Sequence, residues 1–258
     1  MQARPHLSVV IPAYNEERRI RESLLKLGEY LRAFPGGSEV VVVDDGSVDR
    51  TAAIVEEAAR SLEPTTLTLL RNGKNRGKGY SIKHGVLLCS GEYVLLSDAD
   101  FSTPIAQLPE LMRRLEEGGP AIAIGSRGLA GSRVETRQPA WREAMGRTFN
   151  RLVRLLTGLP FRDTQCGFKL MRREAVLPLF RAARVERFAY DVEILYLARV
   201  AGIAVAEVPV LWRNAPGSKV NALHDSLDMM KDVLMILWRD RRGRYRRLRP
   251  GLPDGGRR

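Results

Sequence analysis

Two carboxylates one small residue apart, in Ser97-Asp98-Ala99-Asp100, stand where the apolar run of residues 92–96 gives out. Carboxylates delivered together by the end of a buried strand can converge on one hard cation. Mg²⁺ or Mn²⁺ suits them, because both take oxygen ligands and commonly combine one or two carboxylates with substrate phosphates. A solvated turn uses the same residue types, so the other strand ends have to decide. Asp44-Asp45-Gly46-Ser47 follows a second apolar run, and its carboxylates could accept hydrogen bonds from hydroxyl or imide groups, or cap the next helix. Gly77-Lys78-Gly79 joins a glycine turn to a lysine at a helix start, a combination that suits an anion. It is not a P-loop, since Gly73 precedes Gly77-Lys78 by too few residues and Gly79 fills the Ser/Thr position. Nor is it a dinucleotide fingerprint, because Ile82 stands where the third glycine belongs.

The elements that must position these groups alternate. Strands are predicted at residues 7–11, 39–43, 67–70 and 92–96, with helices at about 16–33, 51–61 and 80–89 between them. Such alternation is the pattern of a parallel α/β sheet with helices on both faces, whose ligands bind beyond the carboxyl ends of the strands. Four successive strand ends carry Tyr14-Asn15-Glu16, Asp44-Asp45, the Gly77/Gly79 loop and Asp98/Asp100, which favours the cation over the solvated turn. Further on, helices are predicted at about 107–117, 145–157 and 191–200, and strands at 121–125, 164–171 and 207–212. Residues 126–142 read as a polar, arginine-rich loop. No repeat or linker precedes residue 239, so one domain over residues 1–238 is expected, followed by a flexible arginine-rich tail at 239–258.

The chain of 258 residues is long enough to bury a substantial core, and its 44% hydrophobic and 28% charged residues are those of an ordinary globular protein. Cys89 and Cys166 form neither a disulfide framework nor a metal-spaced cluster, which suits a reduced, cytoplasmic setting. The first apolar run is cut short by Pro12, so no signal peptide is read, and the longest, at 233–238, is far too short to span a bilayer. The net charge of +12 suggests nucleic acid until it is located. Residues 239–258 hold nine arginines against Asp240 and Asp254, a net +7, and no recognition helix or base-stacking motif accompanies them. A basic DNA- or RNA-binding protein is therefore the reading of another class, and no nucleic acid is expected. Before that tail, Leu227, Met230, Leu234 and Leu237 form a helical stripe that Met235, Ile236 and Trp238 widen. An apolar anchor beside a polybasic patch is the two-signal arrangement for peripheral attachment to an anionic membrane surface. Peripheral attachment to the cytoplasmic face, without a membrane-spanning segment, is the expectation.

Three motifs in order, Val9-Val10-Ile11-Pro12-Ala13-Tyr14-Asn15-Glu16, Val42-Val43-Asp44-Asp45-Gly46-Ser47 and Ser97-Asp98-Ala99-Asp100, closely resemble the family-2 glycosyltransferases of GT-A fold. Arg162-Asp163-Thr164-Gln165-Cys166-Gly167-Phe168-Lys169-Leu170, Val185-Glu186-Arg187-Phe188-Ala189-Tyr190-Asp191-Val192-Glu193 and Gly217-Ser218-Lys219 are similar to the polyprenyl-phosphate branch. The nearest likeness is to dolichyl-phosphate β-glucosyltransferases, with mannose synthases more distant, and it covers roughly residues 7–237.

The resemblance implies a mostly parallel GT-A sheet and inverting transfer of glucose from UDP-glucose to a polyprenyl phosphate. Transfer of mannose from GDP-mannose, or of another hexose, is the alternative. It also implies roles. Pro12, Ala13, Tyr14, Glu16, Asp44, Asp45, Gly77, Lys78, Asp98 and Ala99 would bind the nucleotide sugar, and Asp98 and Asp100 the Mg²⁺ or Mn²⁺. Asp100, Arg127, Gln165 and Lys219 would act in catalysis, while Arg133, Arg142, Asp191, Glu193, Arg213 and Ser218 would meet the acceptor phosphate or the sugar. A lipid phosphate is already anionic at neutral pH, so the chemistry calls for cations more than for a base. There are departures. No membrane-spanning helix of the kind that usually opens eukaryotic relatives is expected from these residues, Ser102 stands where mannose synthases can place a glutamine near the metal, and Arg213 fits the mannose-synthase pattern better.

Overall fold

Runs of Val, Ile and Leu, suited to a pleated and buried surface, form the strands at the centre of the molecule. The computed structural model describes residues 5–135, 139–213 and 222–250. Strands β1 (Leu7–Ala13), β2 (Ser38–Asp44), β3 (Thr66–Arg71) and β4 (Tyr93–Leu96) alternate with helices α1 (Ile20–Arg32), α2 (Thr51–Ala58) and α3 (Lys78–Leu88). Helix α4 (Leu108–Glu116), strand β5 (Ile122–Ser126), the short β6 (Arg133–Val134) and helix α5 (Ala140–Thr157) follow. The chain ends with β7 (Lys169–Arg172), α6 (Arg173–Ala182), α7 (Tyr190–Val200), β8 (Val205–Pro209), β9 (Leu211–Trp212) and α8 (Ala222–Arg241). Seven strands form one sheet in the order β3-β2-β1-β4-β7-β5-β8. Only β7 runs antiparallel to its neighbours, between β4 and β5. The sheet is therefore mostly parallel, as the alternation of elements predicts.

Successive residues of β1 feed opposite cores. Leu7, Val9 and Ile11 pack with Leu24 and Leu27 of α1, Val55 of α2 and Leu111 of α4. Val10 packs with Val86 of α3, Leu179 of α6, Leu195 of α7 and Val233 of α8 on the other face. A sheet buried on both faces leaves its carboxyl edge as the open place for chemistry.

Several expected boundaries move. Of residues 164–171 only the last part is strand, and 163–168 is a loop. The strand expected at 207–212 breaks at Val210 into β8 and β9, and β9 pairs in parallel with β6, inside the stretch read as loop. Helix α5 starts directly behind Pro139, five residues before the expected Met145. Helix α6 went unpredicted because Pro178 lies inside it, where proline reads as a breaker. The stripe of α8 that enters the core is Met229, Val233 and Ile236, while Leu227 and Leu234 face solvent. The tail placed at 239–258 is not flexible from its start. Helix α8 continues to Arg241, Arg249 pairs with Asp240 at 3.0 Å, and Tyr245 is only 1% exposed. Residues 251–258 lie outside the described residues. Among the described residues no helix is long and apolar enough to cross a membrane.

Candidate active site

The first two strand ends are laced together. Asn15, in the left-handed region at φ 53°, takes the Val48 N–H on its Oδ1 at 2.9 Å, and its own N–H reaches Ser47 Oγ at 2.9 Å. Ala13 is buried, and its carbonyl accepts the Asp45 N–H at 2.8 Å. Pro12 precedes it within β1, and Tyr14 is exposed beyond the strand. The Asp44-Asp45 pair divides its tasks. Asp45 accepts Asn72 Nδ2 at 2.8 Å and the N–H groups of Arg76 and Gly77 at 3.0 and 2.8 Å, so it shapes the 72–77 loop. The Asp44 carboxylate takes only a long 3.3 Å bond from the Ser47 N–H among the described residues, while its carbonyl accepts the Asn72 N–H at 2.9 Å.

That loop delivers Lys78. Gly77 has φ +104°, and a Cβ there would lie 2.4 Å from the Glu186 carbonyl oxygen; one on Gly79 would lie 2.6 Å from that of Val185. These glycines let the loop press against residues 185–187. Lys78 Nζ then sits 2.6 Å from Asp98 Oδ1. Burial opposes the charge on both, but each outweighs it for the other, with help from Asp191 for the lysine and from Lys169 and Arg127 for the carboxylate. The Lys78 pKa is thereby raised and that of Asp98 lowered.

Beyond Asp98 and the buried Ala99, Phe101 adopts φ 45°, and its N–H returns to the Asp98 carbonyl at 3.1 Å. This tight turn brings round Asp100, whose Oδ1 takes the Ser102 N–H at 2.9 Å and whose Oδ2 lies 3.5 Å from Arg19. Arg19 also holds Glu16 at 2.7 Å, drawing the Glu16 carboxylate toward the same place. The sequence reading missed Arg19, which sits one turn beyond the first motif and looks like an ordinary helix-start charge. Gly167 completes the pocket from the 163–168 loop, because a Cβ there would stand 2.2 Å from Asp98 Oδ2.

The second half adds two ion pairs, one buried and one half-buried. Lys169 of β7 bonds Asp191 at the start of α7, both nearly inaccessible. Burial, stronger than the nearby lysines, pushes the Asp191 carboxyl up. Arg127 grips Asp163 with both prongs, Nε at 2.6 Å and Nη2 at 3.0 Å, and adds its backbone N–H at 3.1 Å. Its guanidinium lies over Trp212 at 5.4 Å, and Trp212 lines one small cavity with Asp98, Ser102, Thr103 and Gly167.

Other expected members lie elsewhere. Glu193 is two residues from Asp191, about 200° around the helix, and faces residues 184–185 and Tyr245 instead of the strand ends. Gln165 directs its Nε2 at Met229 Sδ, 3.0 Å away, toward α8. Arg213 pairs with Glu135 at 2.6 Å on the surface, while its N–H ties Ser102 through the carbonyl at 2.7 Å. Arg133 is exposed on β6, and Arg142 Nε is buried without a hydrogen-bond partner among the described residues. Ser218 and Lys219 lie outside the described residues.

Asp98 and Asp100 offer carboxylate oxygens with basic groups beside them, the donor chemistry that suits a hard divalent cation taking its remaining ligands from a diphosphate and water. The model of the glycosyl transferase family 2 matches residues 8–180. The chain is 35% identical over 243 residues to the dolichyl-phosphate beta-glucosyltransferase of Dictyostelium discoideum, covering 91% of this chain and 74% of that one. It is 37% identical over 250 residues to that of Homo sapiens, covering 93% and 77%. In structure it is similar to the UDP complex of glucosyl-3-phosphoglycerate synthase from Mycobacterium tuberculosis, with a TM-score of 0.66, 22% identity, and 98% and 82% of the two chains covered.

Proposed function

Because the chain belongs to glycosyl transferase family 2, we propose that it moves glucose from UDP-glucose to a polyprenyl phosphate with inversion at the anomeric carbon. The observation that carries the reading is the array of cations set against carboxylates at one sheet edge, in a chain whose relatives are named dolichyl-phosphate beta-glucosyltransferases. Asp98 and Asp100 would hold Mg²⁺ or Mn²⁺. When bound, the cation supplies positive charge to the departing diphosphate. Asp44 and Tyr14, at the first two strand ends, suit the nucleoside, and Lys78 suits the donor phosphates. Asp191 suits a sugar hydroxyl more than a base, since Lys169 already occupies it.

The acceptor brings its own negative charge, so bringing two anions together is the difficulty, and positioned cations answer it. Arg127 is the foremost of these, because the Asp163 fork fixes its direction while a third of its side chain stays exposed. Arg133, Arg142, Arg213, Ser218 and Lys219 are the further candidates. Incubation with UDP-glucose or GDP-mannose, Mn²⁺ and a short polyprenyl phosphate is expected to give a glucosyl lipid. A lipid product from GDP-mannose alone would overturn the sugar assignment in favour of the mannose-synthase pattern that Arg213 matches.

A polyprenyl acceptor requires a membrane surface, and α5 and α8 pack side by side with unburied apolar residues. Trp141, Leu152, Leu155 and Leu156 of α5, and Leu227, Leu234, Met235 and Trp238 of α8, are exposed, Leu155 by 81%. Arginines flank both, including Arg151, Arg154, Arg241 and Arg242. That pairing of apolar and basic residues supports peripheral attachment to the cytoplasmic face of an anionic membrane. The protein is expected to float with anionic vesicles at low salt, and Leu155→Glu with Leu234→Glu to remain at the bottom. Equal flotation of the double variant would refute this surface.

A further inference from the structure

We infer that Tyr245 and Glu193 are positioning residues for the donor, so that the C-terminal segment after α8 is part of the donor site. The inference rests on the placement of the donor phosphates at the loop carrying Lys78. Tyr245 lies between exposed arginines, yet it is 1% exposed, with its hydroxyl donating to Glu193 Oε1 at 2.6 Å. Glu193 is fully buried, and its other oxygen accepts the N–H groups of Arg184 and Val185 at 2.8 and 2.7 Å. Residues 183–187 form a strap across the start of α3. The Glu186 carbonyl accepts the Tyr80 N–H at 2.9 Å, the Glu186 carboxylate meets Arg76 at 3.3 Å, and the Ala183 carbonyl accepts Lys83 Nζ at 2.7 Å.

The contact is close enough to transmit position. Residues 77 and 79 must be glycine because the strap carbonyls already occupy the space of a Cβ. A displacement of the strap therefore displaces the turn that aims Lys78 at Asp98. The buried Glu193 carboxylate is held by three hydrogen-bond donors, with Arg239 Nη1 a longer 3.8 Å from the oxygen that Tyr245 binds, and removing the Tyr245 bond leaves that oxygen under-satisfied and the strap free to shift. The competent loop then becomes a fraction of the population, and the apparent dissociation constant rises by the inverse of that fraction.

Tyr196 supplies a control of the same chemistry. Its hydroxyl donates to Asp240 at 2.8 Å, anchoring the end of α8 to α7, and among the described residues it makes no hydrogen bond to Glu193 or the strap. Calorimetric titration of UDP in the presence of Mn²⁺, at a temperature well below unfolding, tests the inference on the full chain. Tyr245→Phe is expected to weaken UDP about five- to tenfold, the fold-change for a competent fraction of roughly 0.1–0.2. Tyr196→Phe is expected to lower the melting temperature comparably and leave UDP binding within about twofold of the unmodified protein. Unchanged UDP affinity in Tyr245→Phe overturns the inference, and so does equal weakening in both variants, which would mark loss of packing alone. Failure of the unmodified protein to bind UDP with Mn²⁺ would instead remove the donor assignment on which the inference stands.

Discussion

Asp98→Asn is expected to cut turnover by roughly 10³-fold while the melting temperature moves by only a few degrees. A catalytic cation at a diphosphate is worth several kcal/mol, and each 1.4 kcal/mol or so is tenfold in rate. The amide keeps the shape of the side chain but loses the charge that holds Lys78 at 2.6 Å and one of two carboxylates toward the cation. The fold tolerates the change because the Asp98 side chain is about a third exposed and sits at a strand end, outside both cores. Gly167→Ala should reach a similar result by another route, with a loss of about 10²-fold. Its Cβ would stand 2.2 Å from Asp98 Oδ2 and 2.5 Å from Cγ, so the carboxylate must swing aside. That movement is easy for the fold, since the obstructed atoms end a side chain, and costly for a ligand set that works only in position. Turnover with UDP-glucose and a short polyprenyl phosphate, beside calorimetric melting, measures both. Near-normal turnover in Asp98→Asn would remove the cation from this carboxylate.

The strand ends were legible because β-branched runs stop where polar residues begin, and a parallel sheet gathers such ends on one edge. Asp98, Lys78 and Asp100 follow from that rule alone. What each polar group does there depends on partners far away in sequence. Asp45 looks like Asp44 in the chain, yet it closes the 72–77 loop, which only the fold brings near. Arg127 and Asp163 are 36 residues apart, with no local signal that they meet. Arg187, a natural partner for Asp191 by proximity, instead reaches Asp228 at 3.1 Å. Glu193 is different, since the helical period by itself sets it across the helix from Asp191, and that signal was available. The tail shows how composition misleads. Nine arginines read as a solvated terminus, but one tyrosine among them fills a buried site.

Asp163→Asn should destabilise the protein by about 3 kcal/mol at neutral pH, and should also raise the acceptor KM. Removing one partner of a buried ion pair costs about 3–5 kcal/mol, and the partial exposure of Arg127 places this pair at the lower end. The loss has a pH signature. Burial works against ionisation of Asp163, but Arg127 overcomes it through its charge and three hydrogen bonds, and the carboxyl is held down at about 2. A carboxyl lowered in the folded state contributes stability above its unfolded value, about 3.9, and loses it as pH falls toward the folded one. The difference between the native and Asp163→Asn proteins in urea unfolding should therefore be full at pH 6–7, shrink from about pH 4 downward and nearly vanish by about pH 2. A difference that stays constant over that range would show that packing, and not the charge, is what Asp163 provides. The kinetic effect has the same origin. Without the fork Arg127 keeps its charge but loses its fixed direction, and an acceptor phosphate must then immobilise the side chain itself, so acceptor affinity is expected to fall while UDP binding, proposed for the ends of β1 and β2, holds.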